Sequence, residues 1–519
     1  MHWIDLTIFF LYMIGMLGFG VFFLQRNEGA DDYYVGGRNM NSLHIGLSVV
    51  ATDVGGGFSI GLGGLGFVMG LSGSWMLFTG LVGAWLAAVF LIPKVKGNPV
   101  FDKAFTFPEV FEYYFTPRVA LVAGIISAIG YAGFTSSQIL AGAKLATGTF
   151  ADLDLQTALI IMGSVAVIYT VMGGLKAVIY TDTVQWTILM IGLIFIGIPI
   201  SYTAVGGWEA ISNTVDPALL SMTNISWQDV VYWTVTIIPI WFVGMTLYQR
   251  IYACNDEETA KRAWYLAGVF EWPIMAFMGV ALGLFAKVGA EQGMFDYLGA
   301  ADVSDTDPET GLPMLLRTVL PVGLMGIMMS AYFSAILSTA DSCLMAASGN
   351  VVSDIIGYFK NIDHDSDTFL RFSQITTLVI GTFALLIATT MTNVLDLMLY
   401  SYAFMVSGLF VPIIGALYWE KSSSIGAIAA MILGGATTVS LEIAVPFKLG
   451  VKVPPTPYLT EGWNTLKIGL EQLPGGLDAN VFGITVSAIV FIAVSLAFPD
   501  ENTENITGES VNNINAINQ

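Results

Sequence analysis

Eight consecutive residues, Ala335-Ile336-Leu337-Ser338-Thr339-Ala340-Asp341-Ser342, carry the pattern with the clearest chemical use. Ala335, Ser338, Thr339 and Ser342 recur at i, i+3, i+4 and i+7, which puts them on one face of a helix. Hydroxyl and carbonyl oxygens suit a hard monovalent cation. One Ser or Thr in an apolar helix commonly bonds back to the carbonyl four residues earlier. Three on one face beside a carboxylate favour an ion site over that plain reading. Asp341 lies at the edge of the face. A charge at bilayer depth costs ~2.5–3.5 kcal/mol on insertion scales, so Asp341 needs a partner, a proton or water.

Two more acids stand in apolar surroundings. Asp182 follows Tyr180-Thr181 near the start of an apolar run, where a helix dipole favours it. It can close an ion site with Ser338 and Ser342 if the two segments pack together. Asp53 opens Asp53-Val54-Gly55-Gly56-Gly57 in the middle of another run. Three consecutive glycines weaken a helix by ~1 kcal/mol each relative to alanine. They also let the backbone open so that carbonyls and Gly56 can face a ligand. Tyr131, Phe134, Trp233 and Trp241, with Gln138, are candidates to line a solute pocket, the rings by covering it or by cation–π attraction. Glu271, Asp396 and Glu442 lie in or near apolar runs without companion clusters.

The elements that must position these residues are long apolar helices. A span needs ~20 mostly apolar residues, and thirteen segments qualify: 4–24, 43–71, 74–95, 119–146, 157–175, 178–203, 229–251, 263–288, 314–350, 370–391, 393–419, 424–445 and 479–499. Between the fifth and sixth, Gly173-Gly174-Leu175-Lys176 leaves a very short turn. The second segment is expected to break at its glycines and the seventh at Ile238-Pro239-Ile240. Interrupted helices at corresponding positions of two halves point to a transporter site. Segments 2–6 (43–203) and 7–11 (204–419) then form two five-helix inverted repeats, preceded by 1–42 and followed by two helices in 420–499. Thirteen of the nineteen Lys and Arg fall in the loops after odd-numbered segments. The positive-inside rule makes those loops cytoplasmic, the N-terminus external and the tail internal. The tail, 500–519, is polar and Asn-rich and is expected to be disordered.

Composition narrows the function classes. Of 519 residues 55% are hydrophobic and only 11% charged, against roughly 25% charged in soluble domains. Mean hydropathy is +0.73. A net charge of −20 argues against a nucleic-acid partner. Cys254 and Cys343, and His2, His44 and His364, lack metal-site spacing. The first residues lack a basic n-region and a small-residue cleavage site, so the first run is expected to be a span rather than a cleaved leader. No nucleophile–base pair or cofactor loop suggests an enzyme.

Several separated motifs occur in one order: Val35-Gly36-Gly37-Arg38, Ala51-Thr52-Asp53-Val54-Gly55-Gly56, Gly173-Gly174-Leu175-Lys176-Ala177-Val178, Tyr180-Thr181-Asp182-Thr183-Val184-Gln185, Tyr248-Gln249-Arg250 and Leu337-Ser338-Thr339-Ala340-Asp341-Ser342. With them the chain resembles the sodium/solute symporter family over about residues 4–445. That family includes carriers of proline, pantothenate, sialic acid, sugars and choline. The resemblance implies an all-α, LeuT-type core of two inverted repeats. It implies a principal sodium site made by the carbonyls of Ala51, Val54 and Ala335 with the hydroxyls of Ser338 and Thr339. A second sodium site of some members matches Asp182, Ser338, Asp341 and Ser342 here; Asp341 is a carboxylate where such members carry a hydroxyl, which leaves the number of ions open. Asp53 matches an aspartate that matters for sodium in the proline carriers. The choline branch has a tryptophan where this chain has Asp53, and the sugar branch an asparagine near Phe134.

The expectation is a sodium-coupled importer of a small organic solute (an amino acid, a quaternary amine or an organic acid) that works as a monomer in the cell membrane. Sodium is the coupling ion. Alternatives are a proton-coupled symporter and a solute sensor on a transporter scaffold.

Overall fold

The computed structural model describes residues 2–24, 30–150, 153–173, 175–300, 303–360, 367–444 and 473–500. Among these, helices carry the fold, and an isolated bridge joins Met40 to Cys254. In chain order the helices that matter here are α1 (Trp3–Leu24), α2 (Ser42–Met69), α3 (Trp75–Leu86), α4 (Pro117–Thr149), α5 (Leu155–Gly173), α6 (Leu175–Gly192), α7 (Trp227–Val243), α8 (Met245–Ala253), α9 (Glu257–Val269), α10 (Ala276–Glu291), α11 (Pro308–Val319), α12 (Leu324–Gly349), α13 (Asp367–Ala388), α14 (Val394–Tyr418), α15 (Ser424–Ala444) and α16 (Ala479–Ala497).

In their described residues, the thirteen expected segments fall on helix. By length and composition nine stretches of the described residues can cross a membrane, ten if the bent pair α7 and α8 is one span; the apolar helices Trp3–Met16 and Leu155–Val171 are shorter. Gly174 and the tail beyond Asp500 lie outside the described residues, and with them the expectations of a tight turn at Gly174 and of a disordered tail.

Local chemistry sets where helices start. Asn41 accepts from the amides of Leu43 and His44 to open α2, Ser226 from Asp229 to open α7, and Asn393 from Asp396 to open α14. Each such cap contributes about 1 kcal/mol. The start of α12 is capped from another helix: Asp5 of α1 accepts from the amides of Gly323 at 2.7 Å and Gly326 at 2.9 Å. The core is built by α12 packed on α4, α6, α2 and α1, and by α2 packed on α9, α10 and α11. Apart from Leu324 and Ile327 at its start, every residue of α12 is buried.

Three boundaries differ from the sequence expectation. The ninth segment, expected over 314–350, is two helices, α11 and α12. Pro321, which lacks an amide donor, and Gly323, at φ 92°, separate them. The apolar run Met314-Leu315-Leu316 had joined the two into one stretch. In the seventh segment Pro239 stays inside α7, and the chain breaks five residues later at Gly244 (φ −70°, ψ 110°), where α8 departs at 43°. The eighth segment breaks at Trp272 (φ −136°, ψ 125°), between α9 and α10, where only an isolated Glu271 had been noted. The second segment breaks as expected, at Gly55 (φ 39°, ψ −157°).

Candidate functional site

At the α2 break, glycine is required twice over. The positive φ of Gly55 disfavours a side chain, and a Cβ there would lie 2.7 Å from Thr339 Cγ2 and 2.9 Å from Gln138 Oε1. The unwound turn is therefore pressed directly onto α12 and α4. Thr339 donates to the carbonyl of Ala51 at 3.1 Å and to that of Ala335 at 3.2 Å, and Ser338 donates to Ala335 at 3.2 Å. Ala51, Val54, Ala335, Ser338 and Thr339 are all buried. These are neutral, hard oxygen donors drawn from an opened helix and a hydroxyl-bearing helix face. Such a donor set fits a sodium ion, whose hydration shell carbonyls and hydroxyls replace.

One turn further along the same face lies an ionic network. Asp182 of α6 is fully buried. Its Oδ2 accepts from Ser48 at 2.5 Å and lies 3.6 Å from Arg250 Nη2. Arg250, also fully buried, donates to Ser48 at 3.0 Å, to Ser342 at 2.9 Å and to the carbonyl of Thr246 at 3.1 Å. Thr52 donates to Ser342 at 3.5 Å. Ser338 stands beside Asp182 as well. The expected packing of the sixth segment on the ninth thus brings Asp182, Ser338 and Ser342 together, with a guanidinium among them. Asp341 faces away from that cluster toward α5, where Thr170 donates to its Oδ1 at 2.5 Å.

The solute candidates divide. Gly56 donates its amide to Gln138 Oε1 at 2.7 Å, and Phe134 meets Tyr402 edge-on with ring centroids 5.0 Å apart. Tyr402 of α14 reaches Asp53 Oδ1 at 3.4 Å. Asp53, Gly56, Phe134 and Gln138 therefore share one locus. Tyr131 is committed elsewhere: its hydroxyl lies 3.0 Å from Thr246 Oγ1 and accepts from the Thr246 amide at 3.2 Å, holding the start of α8. Trp241 is fully buried against Trp264, with centroids 6.4 Å apart, and Trp233 sits two turns before it on α7.

Sequence reasoning missed Arg250 as a site residue, reading it only as part of a motif, and it missed Tyr402 and Ser48. The signal for Arg250 was a guanidinium inside an apolar segment, which demands an anionic partner.

This arrangement of a broken helix against a hydroxyl-bearing one can be set beside known proteins. The family model described as "Sodium:solute symporter family" matches residues 33–434. The chain belongs to the sodium:solute symporter family. Among its relatives are two proteins of Bacillus subtilis (strain 168). The symporter is 27% identical to the osmoregulated proline transporter OpuE over 92% of this chain and 93% of the relative. It is 28% identical to the high-affinity proline transporter PutP over 82% of this chain and 89% of the relative. In three dimensions it matches a Na+-coupled sialic acid symporter in a substrate-bound, outward-open state, with a TM-score of 0.74 over 96% of this chain and 99% of that one at 21% identity. The symporter is thus an all-helical, multi-pass membrane transporter of LeuT-like fold, not an enzyme, and sodium is its coupling ion.

Proposed function

We propose that the protein is a secondary active importer that couples inward sodium flow to uptake of a small organic solute by alternating access. The observation that carries this reading is the Thr339 hydroxyl on the Ala51 carbonyl, 3.1 Å across the Gly55 break. An ion there ties α2 to α12 and sets the turn from which Gly56 and Asp53 face the solute. Sodium binding from outside then completes the solute pocket, and the two ligands together favour the closed state that opens inward.

The ligands assigned to sodium are the carbonyls of Ala51, Val54 and Ala335 and the hydroxyls of Ser338 and Thr339. At the second candidate set the charge of Asp182 is already met by Arg250, so the reading is one sodium per cycle. The N-terminus is outside and the C-terminus cytoplasmic, from the distribution of Lys and Arg. The relatives' solutes, proline and sialic acid, support an amino acid or organic acid as cargo, with a quaternary amine as a third class. The transporter is taken to act as a monomer.

Uptake into proteoliposomes with and without an inward sodium gradient tests the coupling. Accumulation above equilibrium only with the gradient is expected; equal uptake in both conditions removes sodium coupling. Proton coupling is the competing reading, motivated by Asp341, whose Oδ2 has no hydrogen-bond partner among the described residues. Uptake driven by a pH gradient in sodium-free buffer would favour it.

A further inference from the structure

Beside the Gly55 break, two acids from different helices meet. Glu271, at the break between α9 and α10, is 0% exposed, and Asp53 is 4% exposed. Their carboxyl groups lie within hydrogen-bonding reach of each other, and the Tyr402 hydroxyl reaches Asp53 as well. Neither oxygen of Glu271 nor Oδ2 of Asp53 accepts a hydrogen bond from the described residues. Among the described residues the buried cations are engaged elsewhere, Arg250 with Asp182 and Lys144 with Asp307 and Glu309. Two adjacent carboxylates in a low-dielectric interior repel each other and lose their hydration. A shared proton or a positive charge placed against both removes that penalty.

The surroundings select the kind of charge. An alkali ion wants several converging oxygens, which the Ala51, Ala335 and Thr339 group offers next door. Around the acid pair stand ring faces instead. Phe134 and Tyr402 meet beside Asp53. On α3, Gly80 makes room for the Glu271 carboxylate and Gly83 for the Trp241 ring. Those glycines are spaced i, i+3, so carboxylate and indole cover one face of α3. Carboxylate oxygens with aromatic faces suit a nitrogen cation, through N–H donation and cation–π attraction.

We propose that Asp53 and Glu271 together bind the positively charged nitrogen of the transported solute, so that the cargo is an amine or ammonium compound; this rests on the symporter reading above. A solute whose only charge is a carboxylate is repelled by the same pair.

The test is thermal stabilisation of the purified full-length protein in sodium buffer by matched probes. L-proline is compared with tetrahydrofuran-2-carboxylate, which lacks the charged nitrogen, and choline with its neutral isostere 3,3-dimethylbutan-1-ol. The expected result is that at least one amine raises the melting midpoint and its isostere does not. Glu271→Gln weakens that amine at least tenfold while half-saturating sodium stays within twofold, and Glu271→Asp recovers part of the loss. The proposal is overturned if an isostere stabilises as well as its amine, if neither amine stabilises, or if Glu271→Gln binds like the wild type. It is also overturned if sodium alone gives a protection that Glu271→Gln abolishes, because the pair then holds the alkali ion. Should Glu271→Gln fail to fold, Glu271→Asp and the wild-type isostere comparison still decide. Binding is read without a gradient, so amine selectivity without sodium-driven flux would sink the coupling and leave this site standing.

Discussion

Thr339 and Ala51 are 288 positions apart in the chain and share one hydrogen bond. The hydroxyls on one face of α12 were legible from spacing alone, and the opened turn of α2 from its run of glycines. That the two meet was not legible from the residues themselves, since periodicity says nothing about which helices pack; the family resemblance supplied it. Removing the hydroxyl tests the contact. Thr339→Ala deletes an oxygen that bonds two carbonyls, an interaction worth about 1–1.5 kcal/mol. The half-saturating sodium concentration in uptake assays should rise roughly tenfold, since about 1.4 kcal/mol is a decade. Thr339→Ser should stay near wild type. Ser338→Ala should move it in the same direction. Gly55→Ala adds a Cβ against Thr339 at a positive φ, a conformation that costs roughly 1–2 kcal/mol for an L side chain. Transport should fall by more than tenfold in that variant with membrane expression retained; unchanged uptake would mean that the turn does not set the site.

The Arg250 network argues differently, because its members were visible and its connectivity was not. A guanidinium holding Ser48, Ser342, the Thr246 carbonyl and Asp182 uses its fork geometry, which an ammonium cannot reproduce. Breaking one partner of a buried pair costs about 3–5 kcal/mol. Asp182→Asn should therefore lower the melting midpoint by several degrees and alter sodium coupling more than solute affinity. A melting midpoint and sodium dependence both unchanged would show that the pair is neither structural nor coupled to the ion.

At the scale of elements, the helices were written in the apolar runs and the breaks were only partly so. Gly55 announced itself by composition. Gly244 did not, because a single glycine after Pro239 carries less signal than the proline, yet the helix passes through the proline. Pro321 and Gly323 were sufficient to split α11 from α12 but were outvoted by the apolar residues on either side. How α11 is used was not legible, and its contacts suggest a latch. Lys144 of α4, nearly buried, lies 2.6 Å from both Asp307 and Glu309. Glu309 also accepts from the amides of Val394 and Leu395 at the start of α14, at 2.9–3.0 Å. Three helices are thus clamped at one end of the bundle, the outer end in the orientation proposed above. Lys144→Met leaves Glu309 buried without its counter-ion and should weaken this clamp. A cysteine placed at Leu312, which is 1% exposed here, should become several-fold more reactive to an impermeant maleimide in that background. No change in labelling would mean that α11 is held by packing alone.

For the molecule as a whole, coupling is a matter of charges carried per solute. Sodium and solute each raise the other's affinity by one common factor, a thermodynamic requirement rather than a detail of this fold. The membrane potential adds about 2.3 kcal/mol per charge per 100 mV. With Arg250 already meeting the charge of Asp182, a single sodium is expected at the Ala51–Thr339 site. A tenfold sodium gradient should then accumulate solute about tenfold at zero potential, and about a hundredfold if a second ion travels with it. A zwitterionic amine such as proline adds no net charge, so about 60 mV, inside negative, should multiply its accumulation about tenfold. Choline, carrying its own positive charge, should respond about a hundredfold to the same potential while keeping the same dependence on the sodium gradient. Measured in one set of proteoliposomes, the two slopes separate the ion count from the charge of the cargo. A gradient exponent near two for proline would place a second sodium in the cycle and make the Arg250–Asp182 pair one that opens to admit it.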